Sequence, residues 1–116
     1  MKTAKIVPSV CKSEGAVWEG SVTLRLPTFD EKFDYIEKMQ VHVKDGEAEA
    51  SNLSNLRAIR EMVRISKDHY VEVSLVNKET KEEIKSFDDL QCCDELHSVL
   101  VEVATTLLNG VKVGNG

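Results

Sequence analysis

The longest periodic run of apolar residues in the chain extends from Phe87 to Gly110. At about 100° per residue, its apolar side chains fall on one arc of roughly 200°. They are Leu90, Cys92, Cys93, Leu96, Val99, Leu100, Val101, Val103, Ala104, Leu107 and Leu108. A capping-box-like Ser86 and Asp89 mark its start, and Asn109-Gly110 suits a left-handed end. The run therefore predicts one long helix whose apolar side is wider than that of an ordinary surface helix.

Alternation of apolar and polar residues predicts two strands, and a weaker pattern predicts a third. The first lies within residues 16–26 and ends before Pro27. The second covers 70–76 and places Val71, Val73 and Leu75 on one face. A polar break at 77–80 suits a turn, after which a short third strand would carry Ile84 and Phe87.

Two further helices are predicted between the first and second strands. Thr28 and Glu31 form a capping box for the earlier helix, which Asp45-Gly46 would end. Ser51 or Asn52 would cap the later helix, after an acidic link at 47–50. The apolar residues that share a face are Phe29, Phe33, Ile36 and Val43 in the first, and Leu53, Leu56, Ile59 and Val63 in the second. Together they predict an αα-hairpin.

Grouped strands and helices favour an α+β domain with a small antiparallel sheet. We predict two or three strands and three helices in the order β-α-α-β-β-α, with the long C-terminal helix central. The domain would cover residues 16–110, with 1–15 as a flexible N-terminal arm or a short edge strand and 111–116 as a short tail. A chain of 116 residues with 41% hydrophobic content suits one domain with one core.

Composition and charge narrow the possible partners. A net charge of −5 argues against nucleic acid, whose phosphates attract basic surfaces. No apolar run approaches the roughly 18 residues of a membrane span, and the N-terminus lacks the apolar core of a signal peptide. Three cysteines cannot pair completely, so reduced thiols are the simplest interpretation. We therefore expect a soluble cytoplasmic protein without disulfides.

Few residues suggest chemistry. Cys93 and His97 have the i,i+4 spacing of two metal ligands or of a thiol and a base, but a structural zinc site needs about four ligands. The other candidates, Cys11, His42 and His69, are scattered, and the glycines form no nucleotide-binding motif. We expect no catalytic residues, metal or cofactor, and thus no enzyme; a small metal- or thiol-dependent enzyme is a remote alternative.

Protein binding is the better supported class. If the other elements cover roughly 100° to 140° of the last helix, an apolar flank remains for self-association or for another chain's helix. That flank contains some of Cys92, Val99, Val101 and Leu108. Trp18 either caps one end of the core or anchors a partner. The charged residues between Asp30 and Lys38 form either a solvated face or an acidic docking surface for a basic segment.

Residues 20–39, GSVTLRLPTFDEKFDYIEKM, resemble the opening of the tail assembly chaperones of long-tailed bacteriophages. In that family a strand of the VTLR type is followed by Pro-Thr and an acidic helix with aromatic residues. The resemblance implies a non-catalytic protein of the host cell cytoplasm that binds the tape measure protein, keeps it soluble and helps to recruit tail tube subunits. It also implies absence from the finished particle and a longer frameshifted product. Alternatives are a secretion-type chaperone and another helix-mediated binding or structural subunit.

Overall fold

The fold combines a four-stranded antiparallel sheet with four helices. The computed structural model describes the backbone of residues 2–44 and 51–109 and the side chains of residues 2–39 and 56–109. The strands are β1 (Thr3–Ile6), β2 (Trp18–Arg25), β3 (Tyr70–Asn77) and β4 (Glu83–Ile84). The helices are α1 (Phe29–Lys44), α2 (Ser51–Ser66), α3 (Phe87–Gln91) and α4 (His97–Asn109). The predicted α+β class, with a small antiparallel sheet and a C-terminal helix, is confirmed.

The sheet has the strand order β1-β2-β3-β4, and β2 and β3 form its centre. Val22 of β2 lies opposite Ile6 on one side and Val73 on the other, and Leu75 of β3 lies opposite Ile84. Alternate residues of β2 and β3 are buried, as the alternating sequence pattern predicts for a sheet with one covered face. At Gly20, φ is +130° and an added Cβ would overlap the Ser74 carbonyl oxygen, so this close strand contact requires glycine.

The start of the N-terminal segment forms an edge strand, β1, which is one of the two alternatives predicted within residues 1–15. β1 pairs with β2 along four residues, and Ala4 and Ile6 are half-buried. Further along, the Ser9 backbone N–H and hydroxyl donate to the two carboxylate oxygens of Glu102 in α4, at 3.0 and 3.2 Å. These hydrogen bonds connect the segment to the C-terminal helix.

A β-bulge in β3 changes the predicted strand face. Thr23 pairs with Glu72 but Leu24 pairs with Tyr70, so Val71 is an extra residue without a partner in β2. Val73 and Leu75 are buried as predicted, whereas Val71 is 52% exposed. The third predicted strand is present as β4, but it is two residues long, and Phe87 belongs to α3 instead.

The capping box of α1 is present, but the helix buries a different face from the predicted one. The Glu31 backbone N–H donates to Thr28 Oγ1 (3.2 Å), and the Thr28 N–H donates to Glu31 Oε1 (2.9 Å). Tyr35 is buried, whereas Phe29 and Phe33 are exposed and Ile36 is 36% exposed. Some predictions for the two helices fall outside the described side chains or residues. They are the apolar positions Val43 and Leu53, the helix end at Asp45-Gly46, the acidic link at 47–50 and the cap at Ser51 or Asn52.

A buried polar cluster fixes the orientation of α1. His69, which is fully buried, places Nδ1 2.7 Å from the Arg25 carbonyl oxygen and Nε2 2.7 Å from the Tyr35 hydroxyl. A carbonyl oxygen only accepts, so Nδ1 donates; in neutral His69, Nε2 then accepts from Tyr35. Arg25 also donates two hydrogen bonds to Glu31, at 2.9 and 3.1 Å. Residues 31 and 35 therefore face the sheet, which leaves Phe29 and Phe33 outside.

The predicted long helix is interrupted. α3 ends at Gln91, Cys93 is extended with φ −117° and ψ 103°, and a 3₁₀ turn at Asp94–Leu96 precedes α4. The interruption explains why a single straight helix would need so wide an apolar arc. Both parts contribute to one core, with Phe87 and Leu90 buried in α3, Leu96 in the turn, and Val99, Leu100, Val103, Ala104 and Leu107 in α4. Within residues 2–44 and 51–109, no helix is long and apolar enough to cross a membrane.

Candidate functional site

The candidate binding surface is an apolar groove of about 190 Å³ between α1, α2 and α4. Its lining is Met39, Ala58, Ile59, Met62, Val101, Ala104, Thr105 and Leu108. Thr105 is the single polar residue of this lining, and its hydroxyl donates to the Val101 carbonyl within the same helix (2.9 Å). The groove therefore suits an apolar side chain and has little to offer a polar ligand.

Helical spacing produces both walls of the groove. On α4, Val101, Thr105 and Leu108 follow the i, i+4, i+7 spacing of one helix face, next to the buried face that packs on the sheet. On α2, Ile59 lies beside the buried Ala58 and Met62. Val101 is 40% exposed and Ile59 is 42% exposed. Met39 and Met62 add flexible thioether side chains, which adapt to differently shaped apolar partners.

An exposed apolar stripe on α1 leads into the groove. Phe29, Phe33 and Ile36 follow i, i+4, i+7 spacing, and the ring centroids of the two phenylalanines are 4.8 Å apart. Phe29 is 76% exposed and Phe33 is 52% exposed. Ile36 and Met39 are three residues apart and therefore neighbours on the helix surface. Exposed apolar surface of this extent is typical of protein interaction sites.

The five residues predicted to bind a partner lie in three different environments: the groove, the exposed surface outside it, and the core. Val101 and Leu108 line the groove, whereas Cys92, although exposed, follows α3 and is not part of the lining. Val99 is fully buried because the interruption at Cys93 lets α4 turn that side to the core. Trp18 is 1% exposed, and its Nε1–H donates to the Glu95 carboxylate at 3.0 Å. Trp18 thus belongs to the core, the alternative considered for it, and neither it nor Val99 is accessible to a partner.

Met39 and Ile59 were not predicted to line a surface groove, and the shared face predicted for Phe29, Phe33 and Ile36 is exposed rather than buried. A signal for the second difference was present, because the apolar residues of α1 extend beyond one face. Around the helix, Met39 lies about 40° from Tyr35, whereas Phe29 and Phe33 lie about 120° and 160° from it, and Ile36 lies between the two groups.

Cys93 and His97 do not share a helical face. Cys93 precedes the 3₁₀ turn, and His97 Nε2 donates to the Gln91 carbonyl oxygen at 2.8 Å. Burial raises the pKa of the Cys93 thiol, which disfavours the thiolate needed for nucleophilic attack or metal binding. Among the residues that the structure describes, no three His, Cys, Asp or Glu side chains are grouped so as to hold a metal ion.

Comparisons with known proteins identify no relative of this chain. No protein-family model matches the chain, no curated protein matches it, and no solved structure matches its fold.

Proposed function

We propose that this protein is a non-catalytic tail assembly chaperone that binds apolar helical segments of a phage tape measure protein in the groove between α1, α2 and α4. In this proposal it acts in the host cell cytoplasm, keeps the tape measure protein soluble and helps to recruit tail tube subunits. The observation that carries the proposal is the groove itself, whose lining is apolar apart from Thr105.

The groove supports binding of an apolar helix on energetic grounds. Ile59 and Val101 are each about two-fifths exposed, so a partner can still bury much of their surface. Burying an aliphatic side chain completely contributes about 1.5 to 3 kcal/mol, and a partner side chain inserted between these residues adds its own burial. A client with repeated apolar stripes would gain this free energy at each stripe, which reduces its tendency to aggregate.

The resemblance at residues 20–39 supplies the specific client. These residues form most of β2, the Thr28–Glu31 capping box and α1 as far as Met39, which lines the groove. The segment that resembles tail assembly chaperones therefore contributes to the candidate binding surface. A net charge of −5 also favours solubility of a complex between this chain and an apolar client.

The binding test compares two valine substitutions. Val101→Asp places a charge in the groove, while Val71→Asp makes the same change at a similarly exposed position on the sheet; the wild-type side chains are 40% and 52% exposed. Each variant is co-expressed with the longest helical protein encoded by the neighbouring genes, and co-purification is measured. We expect Val101→Asp to reduce the recovered client at least about tenfold, as hot-spot substitutions do, and Val71→Asp to leave it unchanged.

The melting temperatures of both variants serve as the folding control. Both should remain close to that of the wild type, because the substituted side chains are partly exposed. Equal client recovery with Val101→Asp and wild type, or equal loss with both variants, would exclude the groove as the binding site.

The identity of the client is tested separately by the DNA that surrounds the gene. We expect a slippery heptamer near its 3′ end, an overlapping second reading frame and a long gene for a helical tape measure protein. A solitary gene would contradict the phage assignment, and neighbouring secretion components would favour the secretion-type chaperone.

A further inference from the structure

We infer that a second copy of this chain binds the outer face of the α1–α2 hairpin, so that α1 of each copy lies over α2 of the other. The outer face is the side of the two helices that points away from the sheet, and it includes Phe33 and Glu37 of α1 and Leu56 and Arg60 of α2. This inference is independent of the proposed function, because the groove beside α4 is a different surface.

The outer face of α1 follows from the position of Tyr35, the buried side chain among those that the structure describes in this helix. At about 100° per residue, Phe33 and Glu37 each lie about 160° from Tyr35 around the helix. Tyr35 is buried against His69, so both side chains point away from the core. Both are exposed, and Phe33 contacts the even more exposed Phe29. This helix therefore presents apolar and acidic side chains next to each other.

The outer face of α2 follows from the same geometry. Leu56 and Arg60 each lie about 160° from the buried Ala58. Leu56 is 63% exposed and Arg60 is also exposed. Ile59, which lines the groove, lies about 100° from Ala58, on the flank of the helix. A partner on the outer face therefore leaves the groove open.

The exposed sides of the two helices, including their flanks, carry opposite charge. α1 exposes Asp30, Asp34 and Glu37, and Lys38 is occupied by an ion pair with Asp34 at 3.1 Å. α2 exposes Arg57, Arg60 and Arg64, of which Arg64 lies 3.6 Å from Glu61. Among the side chains that the structure describes, Glu37, Arg57 and Arg60 form no ion pair. Among the described side chains, α1 therefore presents mainly acidic groups and α2 mainly basic groups.

A two-fold axis makes these helices complementary to each other. An axis parallel to the helices and between two stacked hairpins places the acidic α1 of one copy over the basic α2 of its partner, and the same contact occurs twice. The neighbouring helices run antiparallel, because α1 and α2 pack against each other across a six-residue connection. Phe33 and Leu56 would then lie inside a four-helix layer, with Glu37 and Arg60 pairing across it.

Charge selects a second copy over an unrelated partner. A uniformly acidic partner would be repelled by α1, and a uniformly basic one by α2, whereas a second copy satisfies both helices simultaneously. The apolar side chains need such a cover, since Phe29, Phe33 and Leu56 are each more than half exposed in the single chain.

The test uses two charge reversals that can be mixed. The wild type should sediment at twice the 13.0 kDa chain mass. Glu37→Arg alone places arginine against Arg60 of the partner, and Arg60→Glu alone places glutamate against its Glu37. We expect each variant to raise the dimer dissociation constant at least about tenfold, because like charges then face each other. An equimolar mixture of the two variants should recover the wild-type mass, since every contact in that heterodimer is again between opposite charges.

The control is Glu79→Arg, a reversal at an exposed position in the turn between β3 and β4, which should remain dimeric. At protein concentrations low enough for the wild type and the variants to be monomeric, every variant should have the same melting temperature as the wild type. A monomeric wild type, or a mixture that stays as weakly associated as its components, would overturn the inference. Either result would leave the client test with Val101→Asp unaffected.

Discussion

Two tyrosine hydroxyl groups are buried in this protein, and only one of them has a hydrogen-bond partner among the described residues. The Tyr35 hydroxyl is 2.7 Å from His69 Nε2. The Tyr70 hydroxyl makes no hydrogen bond of good geometry within the described part of the chain. Burial raises the pKa of this group, and the nearby Ser66 side chain opposes that shift only in part. The same substitution should therefore have different effects at the two positions.

We expect Tyr35→Phe to reduce the free energy of unfolding by about 1 to 3 kcal/mol, because it leaves the buried His69 Nε2 without its hydrogen-bond partner. Tyr70→Phe removes a buried hydroxyl that has no hydrogen-bond partner among the described residues, so it should cost less stability than Tyr35→Phe does. Urea denaturation of both variants at neutral pH measures the difference. Equal losses would mean that the Tyr35–His69 hydrogen bond contributes no net stability.

Glu31 makes stability depend on acidity. The two hydrogen bonds from Arg25 and the one from the Thr28 backbone lower the pKa of this carboxyl group from 4.5 to about 2. Because the folded protein keeps Glu31 ionised at a lower pH than the unfolded chain does, the stabilisation is complete above about pH 4.5 and is lost as the pH falls toward 2. The side chain is one-third exposed, so solvent screening makes the effect modest.

Glu31→Gln should remove this dependence. The difference in free energy of unfolding between wild type and variant should be largest near neutral pH and should shrink between pH 4.5 and about 2. Urea denaturation at a series of pH values measures it. Glu79→Gln, at an exposed turn position, is the matched control and should show a constant difference. A constant difference for Glu31→Gln as well would contradict the lowered pKa.

At the scale of elements, features that depend on residues close together in the sequence were predicted correctly, and features that depend on distant residues were not. The capping box at Thr28 and the alternation in β2 and β3 involve residues close in sequence, and both are present. The buried face of α1 depends instead on His69, which is 34 residues from Tyr35. Similarly, the bulge at Val71 is visible only once β3 is aligned with β2. Apolar spacing identifies a helix but does not choose between two apolar faces.

The interruption between α3 and α4 is a second feature that apolar spacing alone did not predict. Cysteine and aspartate have low helix propensity, and Asp94 with Glu95 resembles the acidic first turn of a new helix, so the sequence contained a signal at Cys93. The hydrogen bond from Trp18 to Glu95 joins that turn to β2 over 77 residues. Val101 and Leu108 could be predicted from the pattern of α4 alone. Met39 and Ile59 could not, because their place in the groove depends on how three helices pack.

At the scale of the whole molecule, the two proposed surfaces have a joint consequence. A dimer formed through the outer faces carries two grooves, one beside each α4, and neither groove is covered by the contact between copies. A long client with several apolar segments could then occupy both grooves, and the second binding event would occur at a raised effective concentration. A short peptide with a single apolar segment could not.

We therefore expect Glu37→Arg, which weakens the dimer, to bind a single-segment helical peptide of the client with wild-type affinity. Its affinity for a two-segment fragment should be lower than that of the wild type by a factor on the order of 10². Isothermal titration with both ligands separates the two cases. Val101→Asp is the opposite control, since it should remain dimeric while losing both ligands. If Glu37→Arg binds the two ligands in the same ratio as the wild type does, each client uses a single groove and the dimer does not contribute through avidity.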